Sequence, residues 1–437
     1  MVTVPRPYQL GYYNESVSPW SVPGGIPVPR TPVELFLFLA PLLQFINLSV
    51  VGTLFATDVL LVAALPFVIL GGIGRLSRRQ IWIPLLLGVV WLFSQMATDV
   101  VRSSEPADYL RGWSKLFLTI THLATLWILI RGSLRRYFLY GFGWALGTIA
   151  MVLINPNEVA KDQPWKFALA TPVTFLVLIL ATLLVKGTRR WIIPLIMVSM
   201  GLVHLFSSLR SLGLICMAAA AYSYFLMKTY TNGKRPGMAK MVGLGLVMAL
   251  AVFGFVRFYE YAAESGLLNE KDQQKYTEQS SGSGGLLLGG RSESLATVQA
   301  VIDSPILGHG SWARDAKYHN LLEQKLLESG KKVTYNPFGD LIPTHSFLMG
   351  AWVEAGAAGA IFWIYIFCQI FQTLRRASGG EPFLAVFAFI GMAMMWDILF
   401  SPYGAERRFV ATYVFIGMIM FGDLTDNLRA RRLRGSI

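Results

Sequence analysis

Charge is scarce in this chain. Only 14% of its 437 residues are Asp, Glu, Lys or Arg, against about 25% in an ordinary soluble domain. So few charges cannot clothe a water-facing surface, which argues against a soluble globular protein. Cysteine is almost missing. Cys216 and Cys368 both fall inside apolar runs, so they read as small core residues rather than a disulfide or a metal pair. Histidine is rare too. No two of His122, His204, His309, His319 and His345 stand three or four residues apart, the spacing of a helical metal pair. Zinc-finger spacings and basic-aromatic nucleic-acid motifs are lacking. So is a cleavable signal peptide: residues 1–31 are Pro-rich, hold no apolar run, and read as a disordered cytoplasmic tail.

What the chain has is apolar sequence. Hydrophobic residues make up 54% and the mean hydropathy is +0.51. Runs long enough to cross a bilayer recur throughout. Twelve spans are predicted, near 33–51, 55–74, 80–97, 113–131, 137–154, 167–186, 191–208, 210–228, 239–257, 345–374, 382–400 and 407–424. In lipid every backbone amide must be satisfied within its own segment, so these spans are helices. The expected fold is an all-α polytopic membrane protein with one large extracytoplasmic loop that carries short helices.

The net charge of +13 and pI near 9.7 would point to nucleic acid in a soluble protein. Here the bases sit in short loops and set topology. Arg75, Arg78 and Arg79, Arg135 and Arg136, Arg189 and Arg190, and Arg375 and Arg376 all fall on one side if the N-terminus is cytoplasmic. The opposite loops hold Asp99, Glu105, Asp108, Glu158 and Asp162. Both termini are thus expected in the cytoplasm and the long loop outside. The chain divides into a tail (1–31), nine transmembrane helices (32–257), the loop (258–344), three more helices (345–424) and a basic cytoplasmic tail (425–437).

The loop opens on a flexible run, Ser280 to Gly285. Ser292–Ser304 and Ala316–Ser329 show helical spacing of apolar residues and read as amphipathic helices, a lid or cradle over the membrane surface. Ionisable residues inside spans are costly and point to function. Nearly all of them gather at the outer ends: Asp58, Arg111, Lys115, His204, Arg210, His345, Asp397, Arg407 and Arg408. Glu354 lies about 13 Å inward of His345, at 1.5 Å per residue. Glu34 and His122 are the exceptions. A transporter needs a polar path through the midplane, with broken helices. A one-sided polar basin favours an enzyme at the outer membrane–water boundary, acting on a lipid-linked substrate. Each residue also has a plainer role: Arg407 and Arg408 as snorkelling cations, Asp58 and Asp397 as partners of basic neighbours, His122 and His204 as satisfied core histidines.

Several short motifs stand in order: Ser207-Ser208-Leu209-Arg210-Ser211, Gly290-Arg291, Pro305-x-x-Gly308-x-Gly310, His345-Ser346-Phe347-Leu348, and Glu354-Ala355-Gly356-Ala357-Ala358-Gly359. Together with the twelve-span layout they resemble the O-antigen ligase superfamily, which also holds polymerases of the Wzy type and protein O-oligosaccharyltransferases. The resemblance implies a GT-C-like glycosyltransferase of the bacterial inner membrane, with its active site facing the periplasm. Its donor would be a glycan on undecaprenyl diphosphate; its acceptor would be lipid A–core or a growing polysaccharide. The resemblance implies no metal or other cofactor, and the sequence has no Asp-x-Asp pair. It assigns catalysis to Arg210, Arg291 and His345, with His309, Glu354, Arg111 and Lys115 as further substrate-binding candidates. Arginine forks match phosphate oxygens and gain strength as the leaving diphosphate gains charge. An imidazole is suited to accept the proton of an attacking sugar hydroxyl. The short first outer loop and the early C-terminus argue against the large-acid-loop enzymes and the oligosaccharyltransferase branch.

Overall fold

The computed structural model describes residues 27–130, 132–156, 158–185, 187–229, 293–328, 340–377, 383–404 and 407–433, with scattered positions between 237 and 273. Helices dominate it. In chain order, α1 (Pro32–Leu42) is followed by a two-stranded hairpin, β1 (Asn47–Ser49) and β2 (Thr53–Phe55). Then come α2 (Ala56–Gly72), α3 (Arg79–Arg102), α4 (Pro106–Ile130), α5 (Leu134–Ile154), α6 (Trp165–Leu184), α7 (Ile192–Phe206) and α8 (Arg210–Thr229). The long loop contributes α9 (Glu293–Asp303) and α10 (Ala316–Glu328). The chain closes with α11 (Phe347–Ala355), α12 (Ala357–Arg376), α13 (Leu384–Phe400) and α14 (Arg407–Leu433).

Among the described residues eight helices, α3–α8, α12 and α14, are long and apolar enough to cross a bilayer; α1, α2 and α13 are apolar but shorter. The chain is therefore a multi-pass membrane protein. Phe67, Leu70, Phe93 and Leu184 are exposed on the helix surfaces, as lipid-facing side chains should be. Inside, α14 packs on α4 and α12, α3 on α4 and α12, α7 on α8, and α13 on α8. The α1–α5 crossing is very close: a Cβ at Gly143 would stand 2.1 Å from the Phe38 carbonyl oxygen, so only glycine admits this approach.

Several span boundaries shift. The first span ends at Leu42 rather than residue 51, because Asn47, Ser49 and Thr53 alternate with apolar residues around Gly52 and favour the hairpin. The run at 345–374 is two helices, not one. They break at Gly356, whose φ of 63° lies in the left-handed region and whose absent Cβ would meet the Ile306 carbonyl oxygen at 1.9 Å. The last helix continues through Leu433, across most of the stretch read as a tail. The Ser/Gly run and residues 1–26 lie outside the described residues, as does most of the predicted ninth span, of which only scattered helical positions are described.

The loop helices expected at 292–304 and 316–329 stand at Glu293–Asp303 and Ala316–Glu328. They form their own small core from Ala296, Ala300, Tyr318, Leu322 and Ile342, seated on Val353 of α11. The 305–310 segment caps the α11–α12 break. His309 and Gly310 donate to the carbonyls of Val353 and Glu354 at 2.7 and 3.0 Å, and Trp352 Nε1 donates to the Pro305 carbonyl at 2.8 Å. The broken helix thus opens to the loop-bearing side of the bundle, with its freed backbone groups already satisfied.

Candidate functional site

On that same side lies a cavity of about 850 Å³. Four segments distant in sequence build its wall: the hairpin at 49–54, Arg111 to Leu118 of α4, Trp312 of the long loop, and Pro402, Tyr403 and Gly404 after α13 with Arg407 and Arg408 of α14. Most of this wall is apolar. Among the described residues four cations interrupt it: Arg111 and Lys115 one turn apart on α4, and Arg407 and Arg408 at the start of α14.

Each cation is held by a carboxylate. Arg408 is nearly buried and forks onto Asp58, with Nε at 3.0 Å from Oδ1 and Nη2 on Oδ2; Nη2 also donates to the Thr53 carbonyl at 2.9 Å. Asp58 accepts the Phe55 N–H at 2.8 Å and lies 3.1 Å from His122 Nε2. One buried carboxylate therefore ties the hairpin, α2, α4 and α14 together behind the cavity. Lys115 Nζ lies 2.7 Å from Glu354 Oε2, at the last turn of α11. Arg111 contacts Asp108 at 3.4 Å and donates to the Val51 carbonyl. Arg407 contacts Asp397 at 3.4 Å. None of those four acids lines the cavity. The cations face inward and the carboxylates stand behind, an arrangement that suits a multiply charged anion whose own oxygens complete the cation shells.

Aromatic rings frame the charges. Arg111 lies over Trp312, 5.5 Å from the ring centroid, and Lys115 lies 6.0 Å from the Tyr403 centroid. Tyr403 shares a 2.6 Å hydrogen bond with Thr119 and packs edge-on against Phe347 and Trp363. Trp312 is held through its neighbour. Asp99 accepts from the Ser311 N–H and hydroxyl, both at 2.6 Å, from Ser104 Oγ at 2.7 Å and from Trp113 Nε1 at 2.7 Å. Arg102 adds bonds to the Gly308 carbonyl and Ser304 hydroxyl.

The seven residues singled out from sequence divide. Arg111 and Lys115 line the cavity, and Glu354 joins it through Lys115. His309 serves the loop: Nε2 donates to the Ala300 carbonyl at 2.8 Å and its ring meets Tyr318 edge-on. His345 is exposed just before α11, two residues from the Phe347 that packs on Tyr403. Arg210 begins α8, half-buried, and is not part of the cavity lining. Arg291 lies outside the described residues. Arg407 and Arg408, readable as snorkelling cations, are cavity residues. Trp312, Tyr403 and Asp99 escaped notice as site residues. The signal for Trp312 was the Gly308-His309-Gly310-Ser311-Trp312 turn; Asp99 looked like one more outer-loop acid.

Fold and cavity define a multi-pass helical membrane protein with a cation-lined, aromatic-framed cavity on its loop-bearing side. No protein-family model and no curated protein matches the sequence.

Proposed function

We propose that the protein is an O-antigen ligase-like membrane glycosyltransferase that moves a glycan from undecaprenyl diphosphate to an acceptor saccharide at the extracytoplasmic face. The observation that carries this reading is the cavity, where Arg111, Lys115, Arg407 and Arg408 sit in a mostly apolar wall. A lipid diphosphate needs that combination: cations for the head and apolar helices for the tail. In the reaction the acceptor hydroxyl attacks the anomeric carbon, and the bond from that carbon to the diphosphate oxygen breaks. The electron pair leaves with the lipid diphosphate. Cations aimed at those oxygens stabilise the charge as it grows. His345 accepts the hydroxyl proton, and Arg210 and Arg291 complete the donor contacts, as the motif resemblance implies. The exposure of His345 beside α11 leaves it reachable by a saccharide arriving from water. His345→Ala is expected to cost roughly 10²–10⁴ in rate, with normal membrane insertion.

Deletion of the gene in its host tests the reading, with glycans on the undecaprenyl carrier and on the cell surface analysed together. Long polymer stranded on the carrier with bare surface acceptor is the expected result. Single repeat units on the carrier and no polymer anywhere would make the enzyme a Wzy-type polymerase of the same superfamily. Unchanged glycans in both pools would sink the proposal and favour a transporter.

A further inference from the structure

Trp312 is built into the cavity at an energetic cost. Its φ of 49° is one of four positive values among the described non-glycine residues. Left-handed backbone costs a bulky side chain roughly 1–2 kcal/mol, and such strain persists only where the surroundings over-determine it. They do so here. The residue before it is gripped twice by Asp99, and the two before that are pinned to the carbonyls at the end of α11. All that hydrogen bonding fixes the backbone that carries one indole ring, which is still 40% exposed and lines the cavity beside Arg111. What sets it apart from the more exposed Trp82 and Trp191 is this position in the cavity wall on a strained, hydrogen-bonded turn.

We infer that Trp312 is the stacking platform for the first sugar of the donor, making the cavity selective for a glycosylated lipid diphosphate over a bare one. This rests on the proposed function above. The chemistry follows from position. A diphosphate held by Arg111 and its fellow cations places the attached pyranose next to the neighbouring ring. One face of a pyranose is a row of C–H groups, which an indole face receives well, and a rigid aromatic gives that contact at little entropic cost. After transfer the bare lipid diphosphate lacks this contact, so the ring tightens donor binding without tightening product binding.

The test uses the full chain in lipid nanodiscs and two sets of probes: farnesyl diphosphate, and farnesyl diphosphate bearing one glucose, galactose or N-acetylglucosamine. The wild type is expected to bind at least one glycosylated probe about tenfold more tightly than the bare one, a preference of about 1.4 kcal/mol. Trp312→Ala is expected to collapse that ratio towards one, and Trp312→Phe to retain part of it. Trp312→Gly guards against a folding artefact: glycine accepts the left-handed backbone, so this variant should fold at least as well and still lose the ratio. A ratio that survives in the Ala and Gly variants overturns the platform. So does a wild type that binds bare and glycosylated probes alike, which leaves the cavity's reading as a lipid-diphosphate site intact. A wild type that binds neither probe overturns both.

Discussion

Removing Asp58 is the sharpest perturbation of the cavity wall. Its side chain is fully buried and Arg408 is only 5% exposed. Asp58→Ala leaves a guanidinium inside the bundle with one remaining backbone partner, the Thr53 carbonyl, and strips the Phe55 N–H of its acceptor. Breaking a buried pair from one side costs about 3–5 kcal/mol, and an orphaned buried donor adds about 1–3 kcal/mol. Arg408→Met, which keeps a long side chain without charge, leaves the buried Asp58 carboxylate with His122 and the Phe55 N–H as its remaining partners and should cost about 3 kcal/mol, the low end for a buried pair broken from one side. In Asp58→Ala/Arg408→Met neither charge is stranded, so the double variant should fall short of the sum by at least about 2 kcal/mol. Unfolding in mixed micelles with rising dodecyl sulfate, followed by circular dichroism, reads all four proteins. Additivity within about 0.5 kcal/mol, or single variants that lose less than about 1 kcal/mol, would refute the view of Asp58–Arg408 as the post that ties hairpin, α2, α4 and α14.

Gly356→Ala should cost about 3 kcal/mol, since it combines left-handed backbone with a steric clash at the Ile306 carbonyl; limited proteolysis should then cut near 305–310, and an uncut, fully stable variant would contradict the capped-break geometry. Asp303 accepts hydrogen bonds from Lys317, Tyr318 and Gln299, which hold its carboxyl at about 2, below the ordinary 3.8. With the folded value depressed, its stabilisation of the α9–α10 pair is present above about pH 4 and is lost as pH falls towards 2. Protection of the 293–328 amides, corrected for the pH dependence of intrinsic exchange, should fall over that window in the wild type and fall less in Asp303→Asn. Arg111→Lys keeps the charge but loses the planar fork and the broad contact with Trp312, so diphosphate affinity should fall about tenfold; unchanged affinity would show that a point charge suffices.

Much of the helical layout was legible because apolar runs of bilayer length and amphipathic spacing are local signals. The helices at Glu293–Asp303 and Ala316–Glu328 lie within one or two residues of their predicted ends for that reason. The hairpin at 47–55 was hidden because its strands are apolar enough to pass for the end of a span. The break at Gly356 was written in Glu354-Ala355-Gly356, yet only the approach of Ile306 explains why the helix must stop there. The cavity was half legible. Arg111 and Lys115 were marked by their depth on one helix. Their companions Arg407 and Arg408 come from some 290 residues further along, and a snorkelling cation looks the same in sequence as one that faces a cavity. Trp312 was invisible as a site residue, since its placement depends on Asp99 bonding across 212 positions to Ser311.

On the proposed function this cavity holds a glycan-bearing lipid diphosphate while the glycan is transferred. The most direct measurement is release of undecaprenyl diphosphate from a glycosylated donor by the full chain in nanodiscs, with and without a saccharide acceptor, lipid A–core or polysaccharide. Release is expected to require acceptor and to drop at least about 100-fold in His345→Ala and in the Arg111→Ala/Arg407→Ala double variant. A donor that stays intact with either acceptor present, or release indifferent to all three substitutions, would contradict the proposed function.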